Sequence, residues 1–312
     1  MKKFELSTES KINWLGRTLY RIKACISFIC TDGYEVHAGD FGGFVEKEQN
    51  LSHDGKAWVC GDAEVWGNAK VWGNAEVCGD AKVWGNAKVC GDAEVWGNAE
   101  VWGNAKVWGN AEVCGDAKVC GDAKVWGNAE VWGNAEVCGD AKVWGNAKVW
   151  GNAEVCGDAK VWGNAEVCGD AEVWGNAEVC GDAKVCGDAE VCGDAEVTSP
   201  DHIFSITPIG NGRNSLTLFR TKEREISIFF EWNLYSLEGF LAHISNWDTK
   251  FMNVALIAIE AAKVHIDPAS SNSSDAPCPF CGGTPEHDPK DLNVTCTKCG
   301  ASAKKPFWNN RV

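Results

Sequence analysis

Val65-Trp66-Gly67-Asn68-Ala69-Lys70, followed at once by Val71-Trp72-Gly73-Asn74-Ala75-Glu76, belongs to a pattern that runs without insertion through residues 59–196. Every sixth residue there is Val, and each unit reads Val, Trp or Cys, Gly, Asn or Asp, Ala, then Glu or Lys. The second and fourth positions are locked together: Trp66 is followed by Gly67-Asn68, whereas Cys60 is followed by Gly61-Asp62. In Ala69-Lys70-Val71-Trp72 the alternation of a strand puts Ala and Val on one side and Lys and Trp on the other. Ala and Val go inward. The Gly73-Asn74 pair supplies the residues that best tolerate left-handed backbone angles, as a sharp corner demands. Each of the 23 hexads is therefore one short strand plus one corner, and a unit of this kind buries its apolar side only by stacking on its neighbours.

An aliphatic residue recurring every six positions, as Val65, Val71 and Val77 do, resembles the left-handed parallel β-helix of the hexapeptide-repeat family. The resemblance covers the whole repeat tract and implies a triangular coil with three hexads per turn. The expected fold is mainly β: an N-terminal cap and irregular first coil over residues 1–58, then the solenoid over 59–197. The segment Ala38-Gly39-Asp40-Phe41-Gly42-Gly43-Phe44 ahead of the repeats looks like the start of phage and prophage proteins that carry similar arrays. Beyond the solenoid, apolar runs at 203–209, 216–221 and 226–232 read as three strands. Helical patterns at 236–246, with Ser236 as N-cap, and at 250–265 complete a βββαα capping unit over 198–266. Residues 267–277 have linker composition.

Cys278-Pro279-Phe280-Cys281 and Cys296-Thr297-Lys298-Cys299 form two Cys-x-x-Cys knuckles over 278–312. Such spacing lets two hairpin tips present four thiolates to one structural zinc ion. Together with Gly282-Gly283, Gly300-Ala301 and Trp308-Asn309, they resemble the restriction-alleviation protein Lar family of phages and prophages. The tail departs from that pattern, with Asn310 standing where an Arg commonly follows. The resemblance implies an accessory role in relieving host DNA restriction.

If residues 18 apart stack on adjacent rungs, the outward side chains sort into three faces. One carries Lys70, Lys88, Lys106, Lys124, Lys142 and Lys160 in one column and Trp72, Cys90, Trp108, Trp126, Trp144 and Trp162 in the next. Such columns suit single-stranded nucleic acid, ammonium groups tracking phosphates and indoles stacking on bases. They equally suit indoles that only stabilise successive rungs. The other faces are predominantly acidic, one with Glu64, Glu100, Glu136, Glu154, Glu172 and Glu190, the other with Glu76, Glu94, Glu112, Glu130 and Glu166. The repeats hold 13 Glu and 11 Asp against 10 Lys, nearly all of the chain's net charge of -15. A rod of about 37 Å with that charge approaches the line charge of duplex DNA. It could mimic DNA toward a basic host protein, or simply stay solvated.

Net charge of this sign excludes a nucleic-acid binder that works by overall charge. No apolar run reaches membrane-spanning length, and the expected location is the host cytoplasm. Thiols stay reduced there, so the stacked Cys120, Cys138 and Cys156, and the pairs Cys60 with Cys78 and Cys168 with Cys186, are expected to be free. Hexapeptide-repeat acyltransferases use a histidine base and loops extruded from the coil, but the six histidines, among them His37, His53 and His202, all lie outside the repeats. The expected protein is non-enzymatic: a phage-type accessory factor acting on a host DNA-directed system, a scaffold, or a single-strand binder.

Overall fold

The computed structural model describes residues 2–209 and 214–266, and the backbone of three short antiparallel strands, Pro285–His287, Asn293–Cys296 and Ser302–Lys304. The chain divides into two units, Met1–Pro200 and Asp201–Val312.

The first unit is a parallel β-solenoid with three hexads per turn. Residues 18 apart pair in register throughout, as in Lys70, Lys88 and Lys106 with Val71, Val89 and Val107 beside them. Three sheets run along its length, two of them eight-stranded. The core is uniform: from Ala75 through Val185 the inward Ala and Val side chains have no accessible surface. Burying one such Val contributes about 1.5–3 kcal/mol. At each corner the backbone bonds to the rung above, Asn74 N donating to Gly91 O at 2.7 Å, so backbone polar groups stay paired along the coil. Gly91 shows why only glycine fits: its φ is +75°, and an added Cβ would lie 2.9 Å from Gly109 N.

A second ladder runs outside the corners. Asn110 Nδ2 donates to Asn128 Oδ1 at 3.0 Å, Asn128 to Asn146 at 3.1 Å, Asn146 to Asn164 at 3.0 Å and Asn164 to Asp182 at 2.9 Å. A carboxylate accepts but cannot donate, so an Asp terminates the chain it enters, as Asp92 does for Asn74 and Asp170 for Asn152.

The N-terminal segment extends the sheet of Glu64, Glu100 and Glu136, the first face; the Lys column stands on the second and Glu76, Glu94 and Glu112 on the third. Phe4–Ile12 pairs antiparallel with Thr18–Ala24, which pairs antiparallel with Phe41–Val45, and this last strand runs parallel to Glu64–Val65. Leu19, Phe44 and Trp66 are buried together there, with Trp84 against them. Lys3 is buried as well. Its Nζ donates to Ala57 O at 2.7 Å and Gly55 O at 3.3 Å, and burial pushes its pKa down to about 8.

Where three strands are expected after the repeats, the second unit has a four-stranded sheet: Ile203–Ile209, Asn214–Arg220, Ile226–Phe230 and Asn233–Ser236, in sequential antiparallel order. The fourth strand is reached through a two-residue loop in which Glu231 and Trp232 both take positive φ, 48° and 62°. Glu-Trp lacks the Asn-Gly chemistry that announces such a turn, so the run at 226–232 reads as one strand where the chain reverses. The expected N-cap is present: Ser236 Oγ accepts from Gly239 N at 3.1 Å and opens the helix Leu237–Ile244. That helix and Thr249–Ile266 cover one side of the sheet around Leu216, Leu218, Ile228, Phe230, Phe240 and Ile259. No helix among the described residues is long and apolar enough to cross a membrane.

Of the expected zinc ligands, Cys278, Cys281 and Cys299 lie outside the described residues. Cys296 ends a strand known here by its backbone pairing with Pro285.

Candidate binding groove

Each solenoid face is set by which hexads fall 18 residues apart. On the second face Lys88, Lys106, Lys124, Lys142 and Lys160 stand in unbroken register beside Cys90, Trp108, Trp126, Trp144 and Trp162, with Lys70 and Trp72 one rung earlier. All of them except Lys70, together with Glu178, line an open groove of about 960 Å³. The column that the sequence spacing proposes is therefore in register throughout, and five of its six lysines share one groove. At its far end Lys160 Nζ meets Glu178 at 3.0 Å. Among the described residues, the other five lysines of the column have no ion-pair partner within 4.0 Å. Like charges opposite one another on neighbouring strands are destabilising, so stacking these lysines costs stability that no ion pair among the described residues offsets for five of the six.

The indoles are stacked on each other. Trp108–Trp126, Trp126–Trp144 and Trp144–Trp162 have ring centroids 4.9, 4.8 and 4.9 Å apart and planes within 5° of parallel. Their π faces are thus mutually covered, and the groove wall consists of indole edges. This corrects the expectation that bases stack rung by rung on the tryptophans: between adjacent indoles there is no space for a base. The stack instead stabilises the coil, each pair contributing about 0.5–1.5 kcal/mol beyond area burial.

The acidic faces are less uniform than the glutamate columns suggest. On the first face Lys82 and Lys118 interrupt the run, Lys82 lying 3.8 Å from Glu100. On the third, Lys148 meets Glu130 and Lys184 meets Glu166, both at 3.2 Å. An uninterrupted stretch, Glu136, Glu154, Glu172 and Glu190, remains on the first face. There burial, and then the Glu172 carboxylate, pushes Glu190 up to about 7. Burial likewise raises Glu172, Glu94 and Glu76.

These raised values predict an unusual pH dependence. Glu190 binds its proton more tightly folded than unfolded, where a Glu titrates near about 4.3. Its contribution to stability is therefore greatest at low pH and declines as pH rises from about 4.3 through about 7. Thermal melts at pH 5 and pH 8 should show Glu190→Gln losing less stability than the parent over that interval. Equal pH dependence in both proteins would refute the assignment.

The cysteine columns depart from the all-thiol expectation. Cys60–Cys78 and Cys168–Cys186 are disulfide-bonded, with Cα atoms 4.7 and 4.6 Å apart. In-register rungs bring paired cysteines within bridging distance whatever the compartment, and it was the compartment that motivated the free-thiol reading. Cys120, Cys138 and Cys156 remain thiols. Hydrogen bonds from both neighbours lower the pKa of Cys138, while Cys120 and Cys156 are raised by sharing their protons with it.

The fold and the groove together define a repeat solenoid with an in-register lysine column on one face, five of whose six members have no ion-pair partner among the described residues. The chain matches no family model, and no curated protein is significantly similar to it.

Proposed function

We propose that this chain is a non-enzymatic binding protein whose working surface is the Lys/Trp groove, and that the groove holds an extended anionic strand, single-stranded nucleic acid. The observation that carries the reading is the in-register column from Lys88 to Lys142, without an ion-pair partner among the described residues and set in an open groove. Ammonium groups on flexible stems adapt to successive phosphates as point charges. The column's self-repulsion is relieved when an anion binds. A protein of net charge -15 can hold such a strand only locally, so binding should be weak at physiological salt and strong at low salt.

Replacing Lys106, Lys124 and Lys142 by Gln together tests this. Single-stranded oligonucleotide affinity should fall, and the slope of log affinity against log salt should shrink by about 2, since each phosphate contact contributes about 0.7. Undiminished binding by the triple variant, or no binding by the parent at low salt, would rule the groove out.

A second reading, in which the rod mimics duplex DNA toward a basic host protein, is favoured by the register of Glu136, Glu154, Glu172 and Glu190. It would give the Lar-like C-terminal segment a physical means of relieving restriction in a phage-infected cell. Competition with duplex DNA, lost on reversing Glu136 and Glu154 to Lys, would support it over the groove. The same proposal includes a left-handed coil capped by residues 1–58, and one structural zinc on Cys278, Cys281, Cys296 and Cys299. Metal analysis of freshly purified reduced protein should return one zinc per chain, and Cys281→Ser should abolish it.

A further inference from the structure

The tryptophan ladder of the groove has one rung missing its ring. Trp72 and Trp108 are two rungs apart, and Cys90 stands between them in the same column. Everywhere else along this column, from Trp108 to Trp162, each rung carries one indole, stacked at 4.8–4.9 Å on the next. Two rungs span about 9.6 Å, so at Cys90 the spacing admits one further planar ring with a neighbour on each side. The side chain there is a single thiol. Among the described residues Trp108 stacks only on Trp126 and Trp72 makes no ring contact, so neither indole is stacked on another ring on the side of the Cys90 rung. Here two unstacked indoles flank a single rung, whereas at the far end of the groove Trp162 has an indole on one side only.

The charges around the gap select the ligand further. Lys88 is on the same rung as Cys90, and Lys106 and Lys70 are on the rungs either side. Lys88 and Lys106 line the groove together with Trp72, Cys90 and Trp108. The nearest corner carboxylate, Asp92, is engaged by Asn74 Nδ2 at 2.8 Å. A floor of neutral thiol, two aromatic walls and flanking ammonium groups suit a flat ring that carries a phosphate.

We infer that the gap at Cys90, between Trp72 and Trp108, is a slot for one nucleobase, whose phosphate is held by Lys88 and Lys106. The ring completes the ladder from outside, taking the place that a tryptophan occupies on the next four rungs. This rests on the reading of the groove as an anion-binding surface and adds to it a single point of base recognition. A second one-rung gap, Cys114 between Trp96 and Trp132, provides an internal control. It is flanked by Glu94, Glu112 and Glu130 and should reject the same ligand.

The test is Cys90→Trp, which fills the slot with the residue the repeat already uses and leaves every lysine in place. Adenosine monophosphate titrated against the parent at low salt should quench tryptophan fluorescence. Binding should weaken by about 10- to 100-fold in Cys90→Trp, the loss of one base–aromatic stack. Cys114→Trp should bind as the parent does. Trp72→Ala, which removes one wall without filling the slot, should weaken binding as well and covers the case in which Cys90→Trp does not fold.

Adenosine monophosphate displaced equally well by inorganic phosphate would overturn the inference, as would unchanged binding in both Cys90→Trp and Trp72→Ala. So would no binding by the parent. Oligonucleotide binding separates this from the groove reading: Cys90→Trp should keep the parent's salt slope, because its lysine column is intact. A parent that binds oligonucleotides but not the mononucleotide would retain the groove and lose the slot.

Discussion

Deleting residues 119–130 should weaken single-strand binding at least about tenfold while leaving the solenoid folded, whereas deleting residues 113–130 should spare both. Each deletion removes whole hexads, so every remaining unit keeps its Ala and Val inward and its Gly at the corner. The difference lies in the register. Eighteen residues are one full turn, and after their removal Lys70, Lys88 and Lys106 are followed on the same face by Lys142 and Lys160. Twelve residues are two thirds of a turn, and their removal brings Glu136, Glu154 and Glu172 beneath Lys106 instead. The cationic column is then cut to three and continued by carboxylates. Affinity for an oligonucleotide should fall by at least about tenfold at low salt, with the salt slope lower by about 2. Circular dichroism should show both deletion proteins folded. Binding retained by the shorter deletion would mean that the lysine column is not the binding surface.

That experiment depends on a property the sequence states openly. The hexad period and the inward alternation of Ala and Val were legible because every unit repeats the same local instructions, and the 18-residue pairing that builds the Lys and Trp columns follows from three hexads per turn. Less legible were features that depend on what one rung presents to the next. Alternation places Trp126 outward, but only coordinates show that its two faces are closed by Trp108 and Trp144. The stack turns a supposed platform for bases into a wall of ring edges, and makes the one-residue interruption at Cys90 the informative position. The Asn ladder and its termination at Asp were likewise present in the alternation of Asn and Asp at the fourth position, a signal readable once the donor capacity of the two side chains is considered. The turn at Glu231–Trp232 was hidden for a different reason: neither residue favours the positive φ that the chain imposes there, so local propensity pointed the other way.

Corner glycines should fall into two energetic classes, and Gly127 and Gly187 separate them. Both have positive φ, +77° and +73°, so replacement by Ala costs each about 1–2 kcal/mol for a left-handed backbone. At Gly187 nothing lies within 4 Å of the added Cβ, and that backbone cost is the whole expected effect. At Gly127 the Cβ would sit 3.0 Å from Gly145 N and 3.1 Å from Gly145 O, atoms of the next corner that are tied into the inter-rung hydrogen bonds. Relief requires the two rungs to separate locally, which stretches the bond from Asn128 N to Gly145 O, 2.7 Å long, and parts the stacked Trp126 and Trp144. Gly127→Ala should therefore destabilise by about 1–3 kcal/mol more than Gly187→Ala, within the range of overpacked interiors. In a solenoid stability is carried by the interfaces between successive repeats, so a weak interface in mid-rod uncouples the two halves rather than fraying one end. Denaturant unfolding of Gly127→Ala should accordingly lose cooperativity, while Gly187→Ala keeps a single transition at a lower midpoint. Identical curves for the two variants would show that close approach of the corners does not limit what the repeat accepts at its third position.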